Sequence, residues 1–543
     1  MKLAKYLLLL SVPVTLAVSC KKSEFVEANI NPSTLTSVDP GAQFLYAGIN
    51  YTNSFEYYYD YYRAIMPWMQ YTTNSGGNQG VFTNESGNFN YRYSNFYGNV
   101  GLALEDIPHL IEKMSAAEQA TRVYENAIAT IAKAYYAFYV TDINDDIPYS
   151  EAFQARYGGT LTPTYDYQSS IFDTLDTQVK SAVSALETSQ SATQVLYGAA
   201  QDPFSYAQSI YSGGEVSGWI KAGNALRLKM AVRLMKVDPT TMQSRVNDVL
   251  SDANQMSSYL DSWVLTTGPA YADAGGNYNP STFLATRPMV NFMSTYSDPR
   301  LSIFYRPNSF GQYVGSPTDP DTCALTVYQN LYKATDTPFS PIQHRLWTPN
   351  YNEDDGYGAG SGNGIFPVIT YAEYCFLRAD LGARGYTSDD AATWYNNGVT
   401  ASIVWYDWCA TQTGITSYTQ LGLAKATAAA NTYLQQTGIA YDASIGTQQI
   451  ACQAYVDFFK QPSEGWAWWK RTGFPNTTSV LAWMPLTYNA SALTLPRRAA
   501  ITVLTTADAN YANQQAALKH MESFTYFGSS PSDFTGGVWW DVH

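Results

Sequence analysis

Apolar residues return along this chain at helical rather than strand spacing. Between residues 115 and 140, Val123, Ala127, Ile131, Ala134 and Phe138 recur every three or four positions, the period of one buried helix face. Ser115-x-x-Glu118 stands before that run as a capping box, which satisfies the first free backbone amides of a helix. Asp166 opens a second helix, with Ile171, Leu175, Val179, Ala182, Val183 and Leu186 on one side. A third runs from about Trp219 to Met235, where Leu226, Met230, Val232 and Leu234 are among the apolar positions. Thr370-x-x-Glu373 and Thr387-x-x-Asp390 read as two further capping boxes separated by a turn at Gly385. The first of these helices carries Ala372, Phe376, Leu377 and Ala379; its partner carries Ala391, Trp394, Tyr395, Val399 and Ile403. Small residues facing aromatics across a tight turn predict an αα-hairpin of the tetratricopeptide kind, although no period of about 34 residues repeats to make a regular superhelix.

Periodicity fails in three places. Residues 71–98, 262–315 and 335–366 are rich in Gly, Asn, Pro and aromatics, and irregular segments of such length in a compact protein are usually functional loops. It fails differently at the start. Lys2 and Lys5 precede an apolar run through Leu10, Val12, Val14 and Leu16 that ends in Ala17-Val18-Ser19-Cys20. Residues 1–19 therefore read as a secretory signal, too short to span a membrane, and the cysteine at the cut point predicts a bacterial lipobox that lipidates Cys20. An ordinary signal peptide with an incidental cysteine is the alternative. Residues 20–40 are then a polar, proline-containing leader between lipid and fold.

Charge narrows the partners. The formal net charge is −14 and no basic run occurs, so phosphate repulsion argues against nucleic acid. Cys323, Cys375, Cys409 and Cys452 are widely spaced, which suits buried free thiols better than a disulfide scaffold. Tyrosine is the outlier: there are 45, and aromatics at 15% outweigh charged residues at 14%, a composition suited to wet recognition surfaces and sugar stacking.

Catalytic and metal patterns are sparse. The four histidines, at 109, 344, 520 and 543, form no H-E-x-x-H, and the chain has no G-x-S-x-G, no Walker-type loop and no paired-cysteine zinc spacing. Asn350-x-Asn352-x-Asp354 has the oxygen spacing of a calcium loop, but Asp355 takes the glycine position and Ser361 stands where the bidentate glutamate belongs. It reads as a polar loop, and neither metal nor cofactor is expected. Acidic pairs are common enough to leave a glycosidase open, since sequence does not reveal the carboxylate separation that hydrolysis needs.

Five patches together resemble the SusD/RagB family of surface glycan-binding lipoproteins. They are Asn31-Pro32-Ser33-Thr34; Ala134-Tyr135-Tyr136 through Thr141-Asp142 to Ile147-Pro148-Tyr149-Ser150-Glu151-Ala152; Trp219-x-Lys221-x-x-Asn224-x-Leu226-Arg227-Leu228-Lys229-x-Ala231-x-Arg233; Tyr371-Ala372-Glu373 to Ala379-Asp380; and Glu464-Gly465-Trp466 through Trp469-Lys470-Arg471-Thr472-Gly473-Phe474-Pro475, followed by Pro496-Arg497-Arg498. The resemblance implies a mostly α fold over residues 41–543, with a tetratricopeptide-like helical-hairpin scaffold and a loop-rich half facing the ligand. It further implies a lid on a SusC-like TonB-dependent outer-membrane transporter that delivers oligosaccharides, or peptides in a few members, without catalysis. Two departures stand out. Asn144-Asp145-Asp146 replaces the usual Tyr-Gly-Asp and is expected to alter a local turn. Lys21-Lys22-Ser23-Glu24 replaces an acidic run after the lipidated cysteine, which weakens the signal for export to the outer face.

The motif residues themselves read as structural. Arg227, Lys229 and Arg233 cannot share one helix face and predict ion pairs at the helix surface or between helices; Trp466, Trp468 and Trp469 predict packing. Sugar rings pack their C–H faces on aromatics and need amide donors and acceptors for their hydroxyls. On that logic the ligand candidates are Asn74, Asn78 and Phe82 from the first loop, Trp263 and Tyr278 from the second, and Trp347 and Tyr351 from the third. One prediction comes directly from the leader. Cys20→Ala should move the protein from the membrane pellet to the soluble periplasmic fraction, and unchanged partitioning would refute the lipobox.

Overall fold

Most of the expected helices form, and packing sets where they stop. The computed structural model describes residues 38–82, 89–188, 194–198, 201–204, 216–267, 278–280, 282–348 and 362–543, of which Pro40–His543 form one compact unit. Among the described residues the architecture is mostly helical, with three two-stranded antiparallel sheets. Helices Val123–Asn144 and Gln168–Thr188 pack as one antiparallel pair, Val216–Arg233 and Pro239–Leu250 as a second, and Tyr371–Ala383 and Ala391–Gln412 as a third. In the third pair Gly385 turns the chain at φ +76°, and Gly398 lets the helices close, since a Cβ there would sit 2.7 Å from the Phe376 ring. The four described cysteines are free and buried.

The expected boundaries needed four corrections. The capping box at Ser115 and Glu118 is real, but the helix it starts, Ala116–Thr121, ends at Arg122 before Val123–Asn144 begins. Asp166 caps nothing: its carboxylate accepts the amides of Tyr149 and Ser150, and the helix starts at Gln168. Thr370 caps its helix by accepting the Glu373 amide at 3.0 Å, yet the Glu373 carboxylate turns away to Lys229. Asp390, not Thr387, caps the partner helix, accepting the Thr393 amide at 3.2 Å. At Asn144-Asp145-Asp146 the chain turns with Asp145 at φ +65°, a conformation glycine takes without cost.

The three irregular segments are stitched to one another. Thr72–Asn74 in the first pairs with Phe283–Ala285 in the second, and Trp263–Thr266 in the second pairs with Ile365–Ile369 in the third. Short helices also fall inside them, such as Tyr91–Asn95 and Arg287–Thr295. Sequence periodicity misses strands of three to five residues because so short a run carries too few alternations.

At the centre of the helices lies a buried network of charges. Lys229 Nζ sits 2.9 Å from both Glu373 and Glu464, while Arg233 holds Glu464 at 2.8 Å and Asp142 at 3.2 Å. Arg227 likewise bridges Asp176 and Asp248 on neighbouring helices. Trp466 and Trp468 are buried, and the Lys470 ammonium lies between the rings of Trp466 and Trp540, 4.5 and 4.7 Å from their centroids. The motif residues thus serve the scaffold. Burial opposes ionisation of Glu464, but Arg233 and Lys229 outweigh it and hold the carboxyl at about 2.

Glu464→Gln leaves two buried cations short of an anion and should cost about 3–5 kcal/mol in urea unfolding. A carboxyl lowered in the folded state stabilises above its unfolded pKa and stops doing so as pH falls through the folded one. The gap between parent and variant should therefore be full above the ordinary glutamate value of 4.5 and shrink as pH approaches about 2. A gap that does not change with pH would refute the assignment.

Candidate ligand-binding cleft

Two of the polar spaces among the described residues near the loop-rich half differ sharply in size. One is an interior cavity of about 50 Å³ among Tyr61, Tyr139, Lys229, Ser463 and Glu464, with room for a few waters and none for a sugar ring. The other is an open cleft of about 570 Å³, lined by Tyr59, Arg63, Trp68, Asn74 and Gln79 with Gly76, Gly77 and Gly80. Of these two only the second is of ligand size; smaller clefts of about 400 Å³, lined by Arg306, Asn308, Asp336 and Phe339, and of about 330 Å³, lined by Asn90, Tyr93, Asp146 and Gln514, also lie among the described residues.

Its first wall is a π-helix, Glu56–Ile65, of sequence EYYYDYYRAI. Residues four apart fall on one side of this helix, so Phe55 and Arg63 are exposed and Tyr59 is half-buried between them, while Tyr57, Tyr61, Tyr62 and Ile65 enter the core. The outward rings meet Tyr91 from the next helix. Tyr59 and Tyr91 stack with centroids 5.1 Å apart at 17°, and Phe55 lies 5.5 Å from Tyr91 at 28°. Phe55 is 48% exposed, a large aromatic surface left open to solvent. Arg63 lies flat on Tyr58, its guanidinium carbon 3.5 Å from the ring centroid, and donates from Nη1 to the Tyr58 carbonyl at 3.0 Å.

The inner side of the same helix holds this surface in place. Asp60 is fully buried and accepts the backbone amides of Asn90 at 2.9 Å and Tyr91 at 2.8 Å, capping from a distance the helix that carries Tyr91. Burial pushes the Asp60 carboxyl well up from its ordinary value, with the Glu56 charge adding to the rise. Glu56 pairs with Arg92 at 3.0 Å and accepts the Tyr139 hydroxyl at 2.8 Å, so the π-helix is tied to the central scaffold.

The second wall is the turn after strand Thr72–Asn74. Asn78 is buried and structural: its Oδ1 accepts the Asn74 amide at 3.0 Å and its Nδ2 reaches the Thr318 carbonyl. Asn74 alone among the sequence candidates lines the cleft. The other described candidates are buried and do not line this cleft. Trp263 is wholly inaccessible, packed on Tyr135 and Trp219; Trp347 is 1% exposed among Tyr62, Phe459 and the Lys460 ammonium; Phe82 and Tyr278 are also buried. A tryptophan that seals a core gains more from its area than a loop can offer, which is why these rings went inward. Tyr351, Cys20 and the Asn350–Asp354 loop lie outside the described residues. Phe55, Tyr59, Arg63 and Tyr91 were missed, although the run Phe55-Glu56-Tyr57-Tyr58-Tyr59-Asp60-Tyr61-Tyr62-Arg63 was a visible signal.

Among the described residues no group of three or more His, Cys, Asp or Glu side chains is placed to hold a metal, and no helix is long and apolar enough to cross a membrane. The described residues thus form a mostly helical hairpin scaffold with a cleft between a π-helix and the turn after a short strand. The chain belongs to the SusD-like family: the family profile described as "Starch-binding associating with outer membrane" matches residues 32–499. No curated protein sequence matches it. Three solved structures share the fold. A chitin-binding protein superposes with a TM-score of 0.70 at 21% identity, covering 93% of this chain and 100% of its own. A SusD homologue from Bacteroides fragilis gives 0.67 at 19%, covering 93% and 100%. A chitin-binding SusD homologue from Flavobacterium johnsoniae gives 0.67 at 19%, covering 93% and 98%.

Proposed function

We propose that the protein is a lipid-anchored, non-catalytic receptor that binds an oligosaccharide in the Tyr59–Arg63–Asn74 cleft and passes it to a TonB-dependent outer-membrane transporter. The observation that carries the reading is the stacked set of exposed Phe55 with half-buried Tyr59 and Tyr91, which meets the cleft at Tyr59 beside the planar hydrogen-bonding groups of Arg63, Asn74 and Gln79. Membership of a family described as starch-binding supports a glycan, and two neighbours of the same fold are named as chitin-binding. Against hydrolysis stand the central carboxylates Glu373, Glu464 and Asp142, which are paired to Lys229 and Arg233 in the core rather than set across the cleft.

Two measurements test this. By calorimetry with the cognate oligosaccharide, Tyr59→Ala should weaken binding by about 5–150-fold, the range of one lost anchor of 1–3 kcal/mol. Trp263→Ala should instead lower stability by about 3–5 kcal/mol, because it empties a core site. Unchanged affinity in a folded Tyr59→Ala protein would place the ligand elsewhere. Pull-down of the tagged protein in mild detergent should recover a large outer-membrane barrel, and recovery of the lipoprotein alone would sink the transporter partnership.

A further inference from the structure

Among the described residues the cleft is charged as well as aromatic, and its charge is one-sided. Arg63 is exposed at its wall, and none of the described lining residues is Asp or Glu. That is unusual ground in a chain with 45 acidic and 31 basic residues. The two carboxylates on the same π-helix do not neutralise it. Glu56 is paired with Arg92 at 3.0 Å, and Asp60 faces inward onto the amides of Asn90 and Tyr91. Arg63 makes no ion pair among the described residues. Its orientation is nonetheless set, by the Tyr58 ring beneath the guanidinium and by the Tyr58 carbonyl that takes Nη1. Nε and Nη2 remain as a fork, the geometry that matches the two oxygens of a carboxylate or sulfate.

Resting on the reading of this cleft as an oligosaccharide site, we propose that the ligand is an acidic oligosaccharide whose uronate carboxylate or sulfate ester is received by Arg63. The negative charge of the whole chain does not forbid this. At physiological salt the Debye length is about 8 Å, so the charge nearest the ligand decides and the distant acids are screened. A neutral sugar would gain only ordinary hydrogen bonds from the same fork, and would leave the cation partly desolvated without a counter-charge. Asn74 and Gln79 lie across the cleft to orient the ring hydroxyls, while Tyr59 offers its face.

The test is calorimetry on the mature protein with three hexasaccharide probes: an oligogalacturonate, a chondroitin sulfate fragment and chitohexaose. At low salt one of the two anionic probes should bind at least about tenfold more tightly than chitohexaose, and which one does so distinguishes carboxylate from sulfate. The advantage should shrink in 0.5 M NaCl, disappear in Arg63→Gln and survive in part in Arg63→Lys, which keeps the charge without the fork. Failure of both anionic probes to bind overturns the proposal. If chitohexaose binds as tightly as either anion, is unaffected by Arg63→Gln and is weakened by Tyr59→Ala, the acidic ligand is refuted and the oligosaccharide cleft stands. If an acidic peptide outbinds all three sugars, the reading of the cleft falls with it.

Discussion

Everything in the scaffold depends on keeping Lys229, Arg233, Glu373, Glu464 and Asp142 together out of water. Each charge costs several kcal/mol to desolvate, and the loss is recovered only when its partners stand in hydrogen-bond geometry. Those partners come from four helices: Val216–Arg233, Pro462–Thr472, Tyr371–Ala383 and Val123–Asn144. A packing that slides one helix by a turn therefore strands a charge, whereas a slip between purely apolar faces would cost far less. The network does for the registration of these helices what uniform hydrophobic contact does not.

The same scaffold reaches the cleft through a short chain of contacts. Val123–Asn144 carries Asp142 into the network and also presents Tyr139, whose hydroxyl bonds Glu56 and whose ring lies 3.6 Å under the Arg92 guanidinium. Glu56 and Asp60 fix the inner side of the π-helix, and Phe55, Tyr59 and Arg63 occupy its outer side. Ten residues thus alternate between two duties. Their acids and inward tyrosines answer to the core, and their outward ring and cation answer to solvent.

The fold was far more legible than the site. Helices of a dozen residues or more repeat their apolar period enough times to be read, and the motif Trp219 to Arg233 announced a helix crowded with charge. Boundaries were harder, because Asp166 and Thr387 are good capping residues used otherwise, Asp166 by the amides of Tyr149 and Ser150 and Thr387 by Asp389 two residues on. The site failed for a different reason. Aromatic-plus-amide reasoning selects residue types that also make the best core, and Trp263, Trp347, Tyr278 and Phe82 went there. Nothing in a tyrosine run states which rings face outward until the helix is set against the core, because both of its sides carry the same residue type.

Both walls of the cleft are held from behind. One wall is held by the buried acids of the π-helix. The other is held by backbone pairing, since Asn74 sits at the end of a strand bonded to Phe283–Ala285 and its turn is closed by Asn78. Neither wall relies on the packing of long side chains in solvent. The rings and the guanidinium are set before a ligand arrives, and ordering them during binding would otherwise cost about 0.5–1.5 kcal/mol for each side chain immobilised.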